Sequence, residues 1–156
     1  GRFYEAESVG DLREAYDKGI VLVAAAGNAG PDSPPLYPAA DPSVIAVTAT
    51  DVANKPFAMA VRGAHVALAA PGVDILVPSP GGSYQLTTGT SVAAAHISGV
   101  VAMLLERSSR LTPADVRGIL ASTAKKLPQS RNDVGAGLVD PVPALAKAAP
   151  KSAQVQ

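Results

Sequence analysis

Along this chain, one segment of helical character is followed by a series of apolar runs of strand length and then by further helical segments. Strands are predicted at residues 20–25, 44–50, 65–69, 73–77 and 84–88. The first two runs show no polar alternation, which is typical of strands covered on both faces in a parallel sheet. Turn-forming glycines and prolines separate the runs. The pattern therefore predicts an α/β fold in which helices cover a parallel sheet.

Helices are predicted at residues 9–18, 90–107, 113–122 and 141–148. The first would begin after Ser8 as its N-cap and end at Gly19. The third has a strong start signal, because Thr112 can cap it while Pro113 takes the first helical position and Asp115 the third. The remaining segments are predicted as loops at residues 27–42, 51–63 and 125–134, with a disordered tail at 151–156.

Composition narrows the classes of function. The chain has 156 residues, about one domain, which we place at residues 1–150. Hydrophobic residues make up 47% but aromatic residues only 4%, so the core must consist of close-packed aliphatic side chains. The 13 basic and 13 acidic residues cancel, which removes the main attraction to nucleic acid or anionic membranes. The absence of cysteine excludes disulfides and a thiolate nucleophile, and no apolar run approaches membrane-spanning length.

The segment Gly89-Thr90-Ser91 opens the predicted helix at residues 90–107. A hydroxyl at this point would lie among free backbone N–H groups at the positive end of the helix dipole, where an oxyanion is stabilised. The segment by itself leaves two interpretations open. Either Ser91 is a nucleophile, or Thr90 or Ser91 is only an N-cap, since both residue types favour that position.

Asn28 lies in a glycine-flanked turn at the carboxyl end of the first predicted strand. Its side chain can stabilise a left-handed turn or extend into the crevice beside the sheet. In the crevice, its amide and the backbone N–H of Ser91 would be the two donors that an oxyanion hole needs.

The other polar residues complete neither a catalytic triad nor a metal site. His96 follows Ser91 by five residues on the same predicted helix, about 140° around its axis, and therefore cannot be its base. We interpret His96 as structural and His65 as a surface residue. The carboxylates on turns have no metal-ligand or acid–base spacing, and we interpret them as solvated. They are Asp32, Asp41, Asp51 and Asp74.

Several segments of the chain match the motifs of one family in order and spacing. They are VLVAAAGNAG at residues 21–30, YPAADPSVIAVTATD at 37–51, LAAPGVDI at 68–75, GTSVAAAHISG at 89–99, LTPADVRGIL at 111–120 and GAGLVD at 135–140. With these segments, residues 9–148 resemble the C-terminal part of the catalytic domain of subtilisin-like serine proteases, the subtilases (peptidase family S8). The resemblance implies a parallel sheet covered on both faces, incomplete because its N-terminal strands are missing, with the nucleophile helix buried through its middle.

The resemblance also implies roles for two residues. In the family, the Ser of the GTS motif is the nucleophile and the Asn of the AAGN turn donates to the oxyanion, which would place these roles on Ser91 and Asn28. Val92 and Ala95 stand where family members commonly have Met and Pro, and these changes should spare the chemistry. The DTG-type and HGT-type motifs that carry the triad Asp and His upstream of the Asn do not occur in this sequence. We therefore expect a serine endopeptidase fragment that is inactive alone.

Further expectations follow from the resemblance. The Tyr37-Pro38 bond resembles one that is often cis in the family. The loop from Ala39 to Val44 resembles one whose carbonyls hold a monovalent or calcium ion, although no carboxylate cage is evident, and no other cofactor is implied. The substrate would be a polypeptide and the compartment extracellular or periplasmic. The chain alone should self-associate or swap elements between copies, because its sheet would keep an unpaired edge.

A second hypothesis is a subtilase-like scaffold or binding module without catalysis, in which Ser91 caps a helix and holds an anion. The two hypotheses differ in the parent sequence, because the enzyme needs the DTG and HGT segments upstream and the scaffold does not. They also differ in reactivity, since only the enzyme should react with fluorophosphonate probes at Ser91.

Overall fold

A parallel sheet with a long helix packed on it forms the centre of the structure. The structure is a computed structural model that describes residues 6–148, with side chains from residue 10 onward. The predicted tail at 151–156 lies outside the described residues. In chain order the elements are α1 (Ala6–Asp17), β1 (Leu22–Ala25), β2 (Val44–Thr50), β3 (Val66–Pro71), β4 (Ile75–Ser79), β5 (Ser83–Thr87), α2 (Thr90–Arg107), α3 (Pro113–Thr123), α4 (Arg131–Val134) and α5 (Pro141–Ala148).

The sheet contains three parallel strands in the order β1-β2-β3. Every residue of the central strand β2 is buried, as its unbroken apolar sequence predicts for a strand covered on both faces. β1 is only half-buried along its length, because it lies at the edge of the sheet. The expected full burial of residues 20–25 is therefore wrong, and Ile20, which precedes the strand, is 52% exposed. The α/β fold with a parallel sheet is confirmed, and it is incomplete at this edge.

Helix α2 begins and ends where the sequence predicts, at Thr90 and Arg107. Its buried side chains recur at helical spacing on one face. They are Thr90, Ala93, Ile97, Val100, Val101 and Leu104. Helix and sheet approach each other closely at Gly72. A Cβ added there would lie 2.7 Å from the Cβ of Ala49 and 3.1 Å from that of Ala93. The first half of α2 is thus fixed against the sheet, as predicted.

β4 and β5 form a separate antiparallel hairpin. Gly81 and Gly82 make its turn with φ angles of 84° and 76°, a conformation that glycine adopts without steric cost. The strands predicted at 73–77 and 84–88 are both present, displaced by one or two residues. The hairpin leads directly into the start of α2.

Two local predictions are wrong. Ser8 does not cap α1, because the helix already includes Ala6, whereas Gly19 follows its end as expected, with a φ of 85°. Residues 125–134, predicted as an exposed loop, contain the short helix α4 and the buried side chain of Val134.

The segment after α4 is hydrogen-bonded to the edge of β3, which explains the burial of Val134 at the end of α4. The Ala136 N–H donates to the Ala67 carbonyl at 2.8 Å, and the Ala69 N–H donates to the Gly137 carbonyl at 2.9 Å. A Cβ at Gly135 would lie 2.3 Å from the Ala67 carbonyl carbon and oxygen. This close approach therefore requires glycine at position 135. The contact joins residues distant in sequence, so the hydrophobic pattern of residues 125–134 could not predict it.

Candidate active site

The parallel strands bring the candidate residues to one edge of the sheet. Asn28 follows β1 at its carboxyl end, and Gly72 follows β3 at the same edge. The Gly89 N–H donates to the Gly72 carbonyl at 2.8 Å. The start of α2 is therefore held at the carboxyl edge of the sheet, beside the Asn28 turn.

Asn28 is hydrogen-bonded to Thr90, which is 62 residues away in sequence. The Thr90 N–H and hydroxyl both donate to Asn28 Oδ1, at 3.0 and 2.9 Å. Thr90 Oγ1 in turn accepts from the Gly27 N–H at 3.1 Å. Because these bonds use the amide oxygen of Asn28, its Nδ2 group is left to donate elsewhere.

Gly89 marks a small space between Asn28 and Ser91. A Cβ built on Gly89 would lie 3.2 Å from Ser91 Oγ and 3.4 Å from Asn28 Nδ2. The hydroxyl and the amide nitrogen therefore border one volume, which stays open because residue 89 has no side chain. A single atom placed there would contact both groups.

The backbone at the start of α2 adds a second donor. The N-cap of α2 is Gly89, without a side-chain capping bond, and the Ser91 N–H donates to no group in residues 6–148. This N–H lies at the positive end of the helix dipole. Together with Asn28 Nδ2 it is the type of donor pair that can stabilise an oxyanion.

The capping interpretation of Thr90 and Ser91 is wrong. Both residues lie inside α2, after its N-cap. The Thr90 hydroxyl bonds to the Asn28 turn instead of its own helix. Ser91 is exposed, so its hydroxyl is open to reagents.

Neither histidine is placed to activate Ser91. His96 is exposed on α2, and its Nδ1 lies 3.0 Å from the Val92 carbonyl oxygen, as expected of a structural histidine. His65 precedes β3, whose six residues span about 20 Å, so it lies at the opposite edge of the sheet. His65 is not a surface residue as predicted, because both of its ring nitrogens are buried without a partner among the described residues. This burial lowers the pKa of His65.

One of the turn carboxylates differs from the prediction. Asp41 is buried, with 7% of its surface exposed, because its Oδ1 accepts from the Ser43 N–H at 2.8 Å and from the Ser43 hydroxyl within its own turn. Asp32 and Asp74 are exposed, as expected. Within residues 6–148, no cluster of three or more His, Cys, Asp or Glu side chains could hold a metal ion.

Thr90 is the site residue to which the sequence assigned no role beyond capping. It is completely buried, at 0% exposure, and its hydroxyl joins the Gly27 backbone to the Asn28 side chain. The available signal was a polar residue at the start of a helix face that is otherwise apolar.

Comparisons with known proteins cover most of this chain. The family model described as the subtilase family matches residues 2–137. The chain is 42% identical to subtilisin of Bacillus pumilus over 120 residues, which is 75% of this chain and 44% of that protein. It is 35% identical to subtilisin Savinase of Lederbergia lenta over 129 residues, 83% of this chain and 47% of that protein. Against subtilisin E of Bacillus subtilis (strain 168) the identity is 41% over 120 residues, 75% of this chain and 32% of that protein.

The matched part of this chain therefore spans less than half the length of each of these subtilisins. The matched residues include both the Asn28 turn and the start of α2. Since the family model covers residues 2–137 of 156, the chain belongs to the subtilase family of subtilisin-like serine proteases.

Proposed function

We propose that Ser91 is the nucleophile of a serine endopeptidase. Its Oγ attacks the carbonyl carbon of a peptide bond and gives up its proton to a general base. The resulting tetrahedral intermediate expels the amine, which takes up that proton, and leaves an acyl group on Ser91. Water then hydrolyses the ester and restores the hydroxyl.

Asn28 and the Ser91 N–H form the oxyanion hole in this proposal. The supporting observation is the shared space at Gly89, 3.2 Å from Ser91 Oγ and 3.4 Å from Asn28 Nδ2. An oxyanion hole requires fixed donors close to the attacked carbonyl. The bonds from Thr90 to Asn28 Oδ1 fix the amide before substrate arrives, so little reorganisation is needed during the reaction.

The general base and its carboxylate partner come, in this proposal, from an upstream segment of a longer protein. Neither histidine of the chain is placed to take the proton of Ser91, and the DTG and HGT motifs are absent from its sequence. The substrate is a polypeptide, and side-chain preference depends on parts of the cleft outside these residues. The isolated chain would have no general base beside Ser91 and would therefore be inactive.

Peptide hydrolysis by the full-length protein tests this function. We expect Ser91→Ala to lower kcat by several orders of magnitude, because the covalent intermediate can no longer form. Ser98→Ala is the matched control, since Ser98 lies on the same helix and its hydroxyl only bonds to the Ala94 carbonyl at 2.9 Å. Equal activity of the Ser91→Ala variant and the parent protein would favour the non-catalytic scaffold instead.

We place the activity outside the cytoplasm, extracellular or periplasmic, by resemblance to the family. Among the helices of residues 6–148, none has the length and apolar character needed to cross a membrane. Fractionation of cells that express the full-length protein tests the location: peptidase activity confined to the cytoplasm would contradict it.

A further inference from the structure

The loop before β2 is built around its own carbonyl groups. It contains the Tyr37-Pro38 bond, which is cis as the resemblance implies. The Asp41 N–H donates to the Pro38 carbonyl at 3.0 Å, and the Val44 N–H donates to the Asp41 carbonyl at 3.1 Å. Carbonyl oxygens are among the ligands of calcium, and these two already accept bonds from N–H groups of the loop itself.

A side chain from α3 places a positive charge at two further carbonyl groups of the loop. Arg117 Nη2 donates to the Pro42 carbonyl at 2.9 Å and to the Val44 carbonyl at 2.6 Å. Bonds from a guanidinium to carbonyl oxygens are charge-assisted and stronger than neutral ones. Two of the loop oxygens that could face an ion therefore bind a fixed cation of the protein itself.

The other groups of the loop do not favour a metal ion. Asp41 is its only carboxylate, and Oδ1 of that carboxylate accepts from the N–H and hydroxyl of Ser43. A second cation beside the guanidinium would be repelled by its charge. The residues present therefore do not fit a calcium or monovalent cation site.

We propose that Arg117 is the cation of the loop at residues 39–44 and takes the place of a bound metal ion. The folded loop then needs no added calcium, sodium or potassium. The effect of Arg117 on loop stability does not depend on the peptidase function.

Thermal unfolding of the 156-residue chain in different chloride salts tests this proposal. At fixed protein concentration and ionic strength, the parent chain should have the same Tm in choline, sodium, potassium and calcium chloride. Arg117→Met keeps the aliphatic stem but removes the charge, and we expect it to lower the Tm in choline chloride by roughly 4 °C. Potassium or calcium should restore part of this loss in the variant. Arg107→Met is the control, because Arg107 is an exposed arginine at the end of α2.

Calorimetric titration of the parent chain with calcium chloride decides the case if Arg117→Met does not fold. Absence of a binding heat supports the proposal, and stoichiometric calcium binding that raises the Tm of the parent chain overturns it. An Arg117→Met variant that loses no stability, or whose loss no cation restores, also contradicts the proposal. Arg117→Lys should lose less stability than Arg117→Met, since it keeps a charge at this position.

Discussion

At the scale of single residues, the site depends on how Asn28 is held. Its amide oxygen accepts two bonds from Thr90, and its amide nitrogen borders the space next to Ser91. The sequence identified Asn28 and Ser91 as candidates because each lies at a glycine turn. It could not reveal the Thr90 bond, since a contact across 62 residues depends on the packing of α2 on β1.

Replacing Thr90 should therefore affect both catalysis and stability. Thr90→Val keeps the shape but leaves the Gly27 N–H without its acceptor, which should lower the free energy of unfolding by about 1–3 kcal/mol. In the full-length protein it should also lower kcat with little change in KM, because Asn28 keeps only the bond from the Thr90 N–H and its less firmly held amide acts mainly on the transition state. Peptide hydrolysis kinetics and urea unfolding measure the two effects.

Asn28→Leu should lower kcat more than Thr90→Val does. Loss of one oxyanion donor costs about 10²–10³ in kcat, a magnitude that comes from the related enzyme subtilisin and not from this structure. Thr88→Val is the control, because the Thr88 hydroxyl bonds to Asp74 instead of Asn28. Unchanged kcat in Asn28→Leu would remove Asn28 from the proposed oxyanion hole.

His65 should make the chain less stable in acid. Burial lowers its pKa in the folded state, while the unfolded chain keeps an ordinary value of about 6.5. Below that pH the unfolded state binds more protons, so the free energy of unfolding falls as the pH drops from about 6.5 toward the folded pKa. His65→Leu should flatten this part of the profile, which urea unfolding at a series of pH values measures. If the free energy of unfolding falls equally steeply with pH in the variant and the parent chain, His65 is not the group responsible.

At the scale of secondary-structure elements, the sequence predicted helix ends best where the hydrogen bonds join residues that are close together in the chain. The start of α3 is an example, because the Thr112 hydroxyl accepts from the Asp115 N–H and the Asp115 carboxylate accepts from the Thr112 N–H. The Thr112 hydroxyl and the Thr112 N–H both donate to the Asp115 carboxylate, at 2.6 and 2.9 Å, and these two bonds lower the pKa of Asp115. Helix α4 was missed because the segment after it packs closely on β3 and hydrogen-bonds to it, a contact between residues distant in sequence. Ser8 was misplaced because α1 already includes Ala6.

Thr112→Ala should lower the free energy of unfolding by about 1 kcal/mol, the usual cost of a lost N-cap. The difference from the parent chain should shrink in acid as Asp115 becomes protonated, because a carboxylate with a lowered pKa stabilises the fold only while it is ionised. Thr123→Ala is the matched control at the other end of α3, where the hydroxyl only bonds back within the helix, to the carbonyls of Ile119 at 2.7 Å and Leu120 at 3.5 Å. Equal losses in the two variants at neutral pH would argue against the capping box.

At the scale of the whole molecule, the chain keeps an open sheet edge. The Ala26 N–H donates to β2, so by strand alternation the backbone groups of Val23 and Ala25 point to the opposite side. β1 has no partner there among the described residues. Beside this edge an apolar groove is lined by Val21, Leu22, Val23, Val101, Ala102 and Leu105, with Ser98 at its side. The apolar pattern predicted the strands, but only the topology shows which edge is open.

We propose that the isolated chain self-associates through this edge and groove. Sedimentation velocity should show an average mass that rises with concentration, because unpaired edges and apolar surface favour association. Ala102→Lys places a charge in the groove from an exposed position and should weaken association, whereas Ala114→Lys, exposed on α3, should not. A compact monomer of constant mass at all concentrations would contradict this proposal.

The most direct test of the central claim is the site at which a fluorophosphonate probe labels the full-length protein. If Ser91 is the activated nucleophile, digestion and mass spectrometry should place the adduct on Ser91, and Ser91→Ala should abolish labelling while Ser98→Ala leaves it intact. The isolated chain of 156 residues should remain unlabelled, because it lacks a base for Ser91. A full-length protein that is folded yet unlabelled at Ser91, or labelled on another residue, would contradict the account.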